Sequence, residues 1–209
     1  MSKLIDCDSA DARDVYKLLI SVIAPRPIGW ISTISPEGVA NLAPFSFFNM
    51  MSMNPAVFAF SASLFSDLTK KDTLINIEQT KCFVHNLVTE DLLLPKHRSA
   101  EKLTYNKSEF THVGLTPIPS TKISAPRVKE AKINVECELI KIVSLSEKAL
   151  GEKAGNGQII FGKVLAIHVN DDSILSDLGD CDPEKIQYVS HLGGNNYLLG
   201  GRIQSERRE

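Results

Sequence analysis

No stretch of this chain stays apolar for the roughly 20 residues that a helix needs to cross a bilayer, so no membrane-spanning helix is expected. Neither sign of charge dominates: 23 Lys and Arg stand against 25 Asp and Glu, a net charge of -2. Such a balance gives no global attraction to nucleic acid or to an anionic membrane, and neither is expected as a partner. It leaves room for a local basic pocket. Cysteine is sparse. Cys7, Cys82, Cys137 and Cys181 form no CxxC pair and lie near no histidine at zinc-finger spacing, so they read as free thiols in a reducing compartment. The first residues, MSKLIDCDSADARDVYKLL, are broken by acids and lack an apolar core before a small-residue cleavage site. A secretory signal is not expected, and a cytoplasmic location is. No GxGxxG follows a strand, which removes a Rossmann dinucleotide site. The five histidines form no recognisable metal cluster, and no metal is expected.

What the chain does have is 43% hydrophobic residues over 209 positions, enough for a sizeable core. In residues 9–22, Val15, Leu18, Leu19 and Val22 recur on one helix face, with Ser9 or Asp11 as a cap. Pro25 and Pro27 end that helix by Ala24. IGWISTI, the Ser35-Pro36-Glu37-Gly38 turn and VANLAPFSFF then read as a hairpin whose second strand is interrupted, since Pro44 cannot donate to a central ladder. Asn54-Pro55 marks a turn, AVFAFSAS a short strand, Asp72-Thr73 the start of a helix and KCFVHNLV another strand. Residues 89–130 show no sustained period and read as a helical and looped excursion that cannot assemble a core of its own. In 132–143, Ile133, Val135, Cys137 and Leu139 alternate with Asn134, Glu136 and Glu138, which predicts a strand with one wet face. Gly151 to Gly157 reads as a flexible connection. IIFGKVLAIHV is a long strand with Gly162 as a bulge or a point of close approach, and LGGNNYLLGGR carries turn glycines before a charged tail.

Two helices cannot cover both faces of a parallel sheet. Long strands joined by turns favour an antiparallel sheet, and closing it hides its edges. We expect a mainly β protein, an antiparallel split β-barrel with a few peripheral helices, as one domain over residues 1–209.

The order of segments is more specific than any one of them. APRPIGWISTISPEGVANLAPFSFFN, SAS, KKDTLINI and KCFVHNLV, followed by SAPRVKEAKINVECEL, FGKVLAIHV and YVSHLGGNNYLLG, resemble the flavin reductase-like, FMN-binding split-barrel family from about Ala24 to Arg202. The resemblance implies a homodimer with FMN near the subunit interface. It also implies electron transfer from NADH or NADPH through the flavin in many members.

A flavin tail needs convergent donors and cationic groups, and its ring needs an apolar slot with polar contacts. Ser61, Ser63, Lys71, Asp72 and Thr73 fit the first need. The resemblance places both the strand-end serine and the Lys71-Asp72-Thr73 helix start near the flavin tail. Asp72 reads first as a helix cap, because its charge would repel a phosphate. Asn41, Ala43, Pro44 and Ser46 fit the second need, and the resemblance places this segment beside the ring. His191 stands where the family often carries arginine, which exchanges a permanent charge for a titratable one. Tyr197 closes the same region. Phe45, Phe47, Phe48 and Trp30 read as core or interface, and Met50, Met51 and Met53 as interface packing. His85 reads as a hydrogen-bonded structural residue, His97 and His112 as exposed, and Arg26 as reaching either a partner or a phosphate. Flavin carries its own electron chemistry, so no catalytic residue is singled out. The leading expectation is an FMN-dependent NAD(P)H oxidoreductase. The alternatives are a flavin carrier or sensor, or a flavoenzyme fed by a protein donor.

Overall fold

The computed structural model describes residues 2–145, 156–176 and 179–204. Seven strands form one antiparallel sheet: β1 (Gly29–Ile34), β2 (Ala40–Phe45), β3 (Phe48–Met53), β4 (Ala56–Ser61), β5 (Cys82–Asn86), β8 (Ile133–Ser144) and β9 (Gln158–Val169). Their order across the sheet is β2-β1-β5-β8-β9-β4-β3. The two edges, β2 and β3, are consecutive in sequence and separated only by Ser46 and Phe47. A flat sheet of seven strands would hold its edges roughly 29 Å apart. Phe45 and Phe48 can be no more than about 11 Å apart along the chain. The sheet therefore curls until its edges meet, and β2 and β3 bound the split. At that seam a Cβ added to Gly29 would lie 2.5 Å from the Phe48 ring.

Inside the barrel, Ile31, Phe45, Phe60, Phe83, Val135, Cys137 and Ile160 form the core. Helix α2 (Asp72–Thr80) plugs one end with Leu74 and Ile77. Gly162 is a close-approach point, since a Cβ there would lie 2.3 Å from Phe83. Burial holds the Cys137 thiol well above its ordinary pKa, so it is an inert packing group.

Outside the barrel, Trp30 and Leu42 are covered by residues 88–131. This stretch contains α3 (Leu93–Arg98), α4 (Glu109–Val113) and the two-stranded ribbon β6 (Pro117–Ile118) with β7 (Arg127–Val128). A short α5 (Pro183–Ile186) precedes the hairpin β10 (Val189–Gly193) and β11 (Asn196–Leu199). Helix α1 (Ala12–Val22) is capped by Asp11, whose carboxylate accepts from the Arg13 and Asp14 amides. No helix among the described residues is long and apolar enough to cross a membrane. Most of the Gly151–Gly157 connection, and the charged tail after residue 204, lie outside the described residues.

Four expectations are corrected. Strand β2 is not interrupted at Pro44, which pairs with Trp30. The Leu42 amide points away from β1, toward Glu109 Oε2 at 3.1 Å. Strand alternation puts the Pro44 nitrogen on that same outer edge, where no ladder bond is lost. The expected wet face of β8 is wet only at Glu138, which is exposed, while Asn134 and Glu136 are fully buried. Asn134 donates to Asn86 and to the Val128 carbonyl, and Glu136 accepts from the Thr121 and Lys122 amides at 2.7 Å. Asp72 does not cap α2. The N-cap is Lys71, and no side chain bonds the first turn. The His85 ring is not hydrogen-bonded as expected: its buried Nδ1 has no partner among the described residues, and the ring stacks on Phe48 at 4.6 Å. Burial pushes its pKa down to about 4, so it stays neutral.

A candidate flavin cleft along the barrel split

Three hollows lie side by side along the segment that joins β2 to β3. The first has a volume of about 140 Å³ and is lined by Asn41, Ala43, Pro44, Phe45, Lys71, Asp72 and Thr73, together with Phe65, Ser99–Leu103 and Glu109. The second, of about 230 Å³, shares Pro44, Phe45 and Ala100 with the first and adds Ser46, Lys96, His97, His191 and Tyr197. The third, of about 390 Å³, shares Ser46 with the second and holds Ser61, Arg26, Phe47 and Met51. Six of the ten sequence-predicted residues thus meet in one cleft, and Ser46, His191 and Ser61 line the adjoining ones. Ser63 lines none of the three. It lies past the end of β4, between the Ala62 and Leu64 amides that bond to Gln158 and Asn156.

The first cleft is chemically polarised. At one end α2 begins without a side-chain cap, and its Leu74 and Ile75 amides both bond back to the Lys71 carbonyl. The Asp72 and Thr73 amides make no intrahelical bond, because first-turn amides have no carbonyl to reach. They add to the positive end of the helix dipole. The Lys71 ammonium stands 5.6 Å from the Phe65 ring centroid, and the Lys102 ammonium 4.1 Å from it. Neither lysine pairs with a carboxylate among the described residues. Burial lowers the Lys71 pKa, and burial likewise raises that of Asp72, with Lys102 pulling the other way. Two cations and two outward amides therefore stand beside Asp72, and the other two acids lining the cleft are engaged elsewhere, Glu101 with His112 and Glu109 with the Leu42 amide.

Thr73 is buried deeper than a free ligand group. Its hydroxyl accepts from Asn41 Nδ2 at 3.0 Å, and Asn41 also donates to Thr33. Asn76 donates to the same Thr33 hydroxyl, and its own carbonyl accepts from Tyr105. This network fixes the floor of the cleft. The side wall is apolar, formed by Pro44 and Phe45. Glu109 closes the rim by holding the Leu42 amide, and burial raises its pKa.

Sequence reading missed Phe65, Lys96, Lys102 and Glu109. The last three lie in the aperiodic 89–130 stretch, where no local pattern marks a residue as site-facing. Arg26 has a structural duty: its guanidinium donates to the Ile20 and Ile23 carbonyls at the end of α1. His191 Nδ1 faces Arg26 Nη2 at 3.4 Å and its Nε2 faces the Gly194 carbonyl at 2.9 Å. A guanidinium only donates and a carbonyl only accepts, so His191 is the neutral Nε2–H tautomer. Burial lowers its pKa, as do Arg26 and Lys96, against the raising effect of the Gly194 bond. His97 is exposed but bonds the Tyr197 hydroxyl, and His112 pairs with Glu101.

Fold and cleft together define a split-barrel protein with a phosphate-ready pocket at its seam. The chain belongs to the flavin reductase-like, FMN-binding split-barrel family, with residues 23–182 matching the flavin reductase like domain. It is 40% identical to a protein of Aquifex aeolicus over 188 residues, covering 90% of this chain and 91% of that one. It is 31% identical to nitrilotriacetate monooxygenase component B from Bacillus cereus, with a TM-score of 0.91 over 99% of both chains. It is 26% identical to the 2-nitrobenzoate 2-nitroreductase NbaA of Pseudomonas fluorescens, with a TM-score of 0.84 over 99% of this chain and 96% of that one.

Proposed function

We propose that the protein is a homodimeric oxidoreductase that binds FMN in the first cleft and takes electrons from NADH or NADPH. The observation that carries this reading is the polarity of the cleft. A dianionic phosphate fits the end built from Lys71, Lys102 and the Asp72 and Thr73 amides. A flat ring fits against Pro44 and Phe45 and extends toward Ser46. The donor set is compact and serves one phosphate, which favours FMN over FAD.

FMN, when bound, supplies the two-electron chemistry. The chain's own residues bind, orient and shield. Lys71 and Lys102 neutralise the phosphate, and the Asn41–Thr33–Thr73 bonds hold the floor rigid. Pro44 presents no amide to the ring, and Phe65 and Leu103 exclude water. Anaerobic stopped-flow absorbance near 450 nm tests the reaction. Millimolar NADH or NADPH is expected to bleach the flavin. Bleaching by dithionite alone would replace this reading with a carrier, a sensor or an enzyme fed by a protein donor.

The partner is a second copy of this chain. Helix α1 has an apolar stripe yet buries no residue; Leu18, Leu19 and Val22 are exposed. On β3, Met50, Met51 and Met53 are exposed, as is Phe47 at the seam, and Met51 and Phe47 line the third hollow with Ile23, the C-cap of α1. Exposed apolar surface of this kind is an interface signature. Light scattering at micromolar concentration is expected to give twice the 23.0 kDa chain mass. Val22→Glu combined with Met51→Glu is expected to reduce it to one. A monomeric wild type that retains flavin would refute the dimer. The four free thiols fit a reducing, cytoplasmic location.

A further inference from the structure

The second hollow holds a buried positive charge that no acid among the described residues pairs with. Lys96, on α3, is 3% exposed and lines the hollow. Its ammonium stands 3.9 Å from the centroid of the Tyr197 ring. Among the described residues this ammonium forms no ion pair and no hydrogen bond, and only the Lys96 carbonyl is engaged, accepting from Ser99 Oγ. Tyr197 stacks on His191 with centroids 5.1 Å apart, and its hydroxyl meets His97 Nδ1 at 3.2 Å. Because His191 is the neutral tautomer, it does not share the charge. Among the described residues no acid lines the hollow. A buried charge is normally paired or neutralised. Here only an aromatic face offsets it, which is worth far less than an ion pair with hydrogen bonds.

The hollow's position gives the charge a use. It shares Pro44, Phe45 and Ala100 with the first cleft and Ser46 with the third hollow. An anion held by Lys96 would therefore sit beside the wall assigned to the flavin ring and away from Lys71 and Lys102, which serve the flavin's own phosphate. A volume of about 230 Å³ is too small for a whole dinucleotide but admits one anionic group with the ring or sugar next to it.

We propose that this hollow is an anion subsite in which Lys96, against the Tyr197 ring, receives the carboxylate or phosphate of the small molecule that exchanges electrons with the flavin. The assignment rests on the flavin reading of the neighbouring cleft. It gives the permanent charge that the family often carries at the His191 position a counterpart in Lys96, with the neutral His191 stacked on the same Tyr197 ring.

The groups facing Lys96 are His97, His191, Tyr197 and, behind His191, Arg26. Burial pushes the Lys96 pKa down to about 8. Burial raises that of Tyr197, and burial, Arg26 and Lys96 lower that of His191. Anion binding should accordingly weaken as pH rises through about 8.

Calorimetric titration with benzoate and with oxidised NAD⁺ tests this, on the protein as purified and after flavin removal. Benzoate represents a carboxylate-bearing acceptor, and NAD⁺ a phosphate-bearing donor that cannot reduce the flavin. At least one is expected to bind at pH 7. Lys96→Met, which keeps the stem and removes the charge, is expected to weaken it by about tenfold or more, with FMN affinity changed less than about twofold. Lys96→Arg should retain binding and abolish the loss above pH 8. Binding of neither probe would overturn the proposal. So would unchanged binding in Lys96→Met, or an equal loss of FMN, which would assign Lys96 to the flavin itself. A protein that never carries flavin yet binds benzoate through Lys96 would defeat the flavin reading and leave the subsite standing.

Discussion

Replacing Lys71 and Lys102 together with alanine is expected to weaken FMN by roughly a hundredfold and riboflavin by less than about threefold, since each charge-assisted contact is worth about 1.5–3 kcal/mol. Riboflavin lacks the phosphate, so it reports on the rest of the cleft. Lys71 is half-buried and carries the larger share. Lys102 is exposed, and solvent screens it. Thr73→Ala makes a poorer probe than the sequence implied. Its hydroxyl anchors Asn41, so its loss loosens the floor of the cleft and should weaken both flavins. Fluorescence titration of flavin-free protein with each ligand separates the cases. Equal losses of FMN and riboflavin in the lysine variant would mean that the phosphate lies elsewhere.

The second large effect lies at Glu136, far from the cleft. Its fully buried carboxylate accepts from the Thr121 and Lys122 amides, from the Thr121 hydroxyl at 3.0 Å and from His168 Nε2 at 2.5 Å. These bonds tie the 119–126 loop to β8 and β9. Glu136→Ala strands two amides and is expected to cost about 3–5 kcal/mol, the range for breaking a buried charged network. Burial alone would raise the Glu136 pKa, but the bonds from Thr121, Lys122 and His168 outweigh it, and the carboxyl titrates below its ordinary value. A carboxyl with a depressed folded-state pKa stabilises above its unfolded pKa, about 4.3. That stability is lost as pH falls through the folded value. Thermal melts are expected to show the wild type losing stability below about pH 4.3, with Glu136→Gln losing less over the same range. Parallel curves would remove Glu136 from the acid response.

Glu136 also marks the limit of what the sequence revealed. Alternation in residues 132–143 located the strand and its two faces. It could not tell that residues 119–128 lie over the polar face, because that covering stretch has no period of its own. Pro44 reads as a strand breaker in sequence, since proline cannot serve a central ladder. The strand order that makes β2 an edge is a property of the whole sheet. The α1 stripe was legible, but a single chain leaves it uncovered. Within the site, Asn41–Ser46 and Lys71–Thr73 were reachable through segment order and family resemblance. Lys96, Lys102 and Glu109 were not, since only the folded excursion brings them to the seam.

The most direct test of the flavin cleft is the identity of the cofactor carried by the purified protein. Heat release followed by chromatography is predicted to yield FMN, close to one per chain in wild type and strongly depleted in the Lys71→Ala, Lys102→Ala variant. FAD in its place, no flavin at all, or undiminished FMN in that variant would contradict the account.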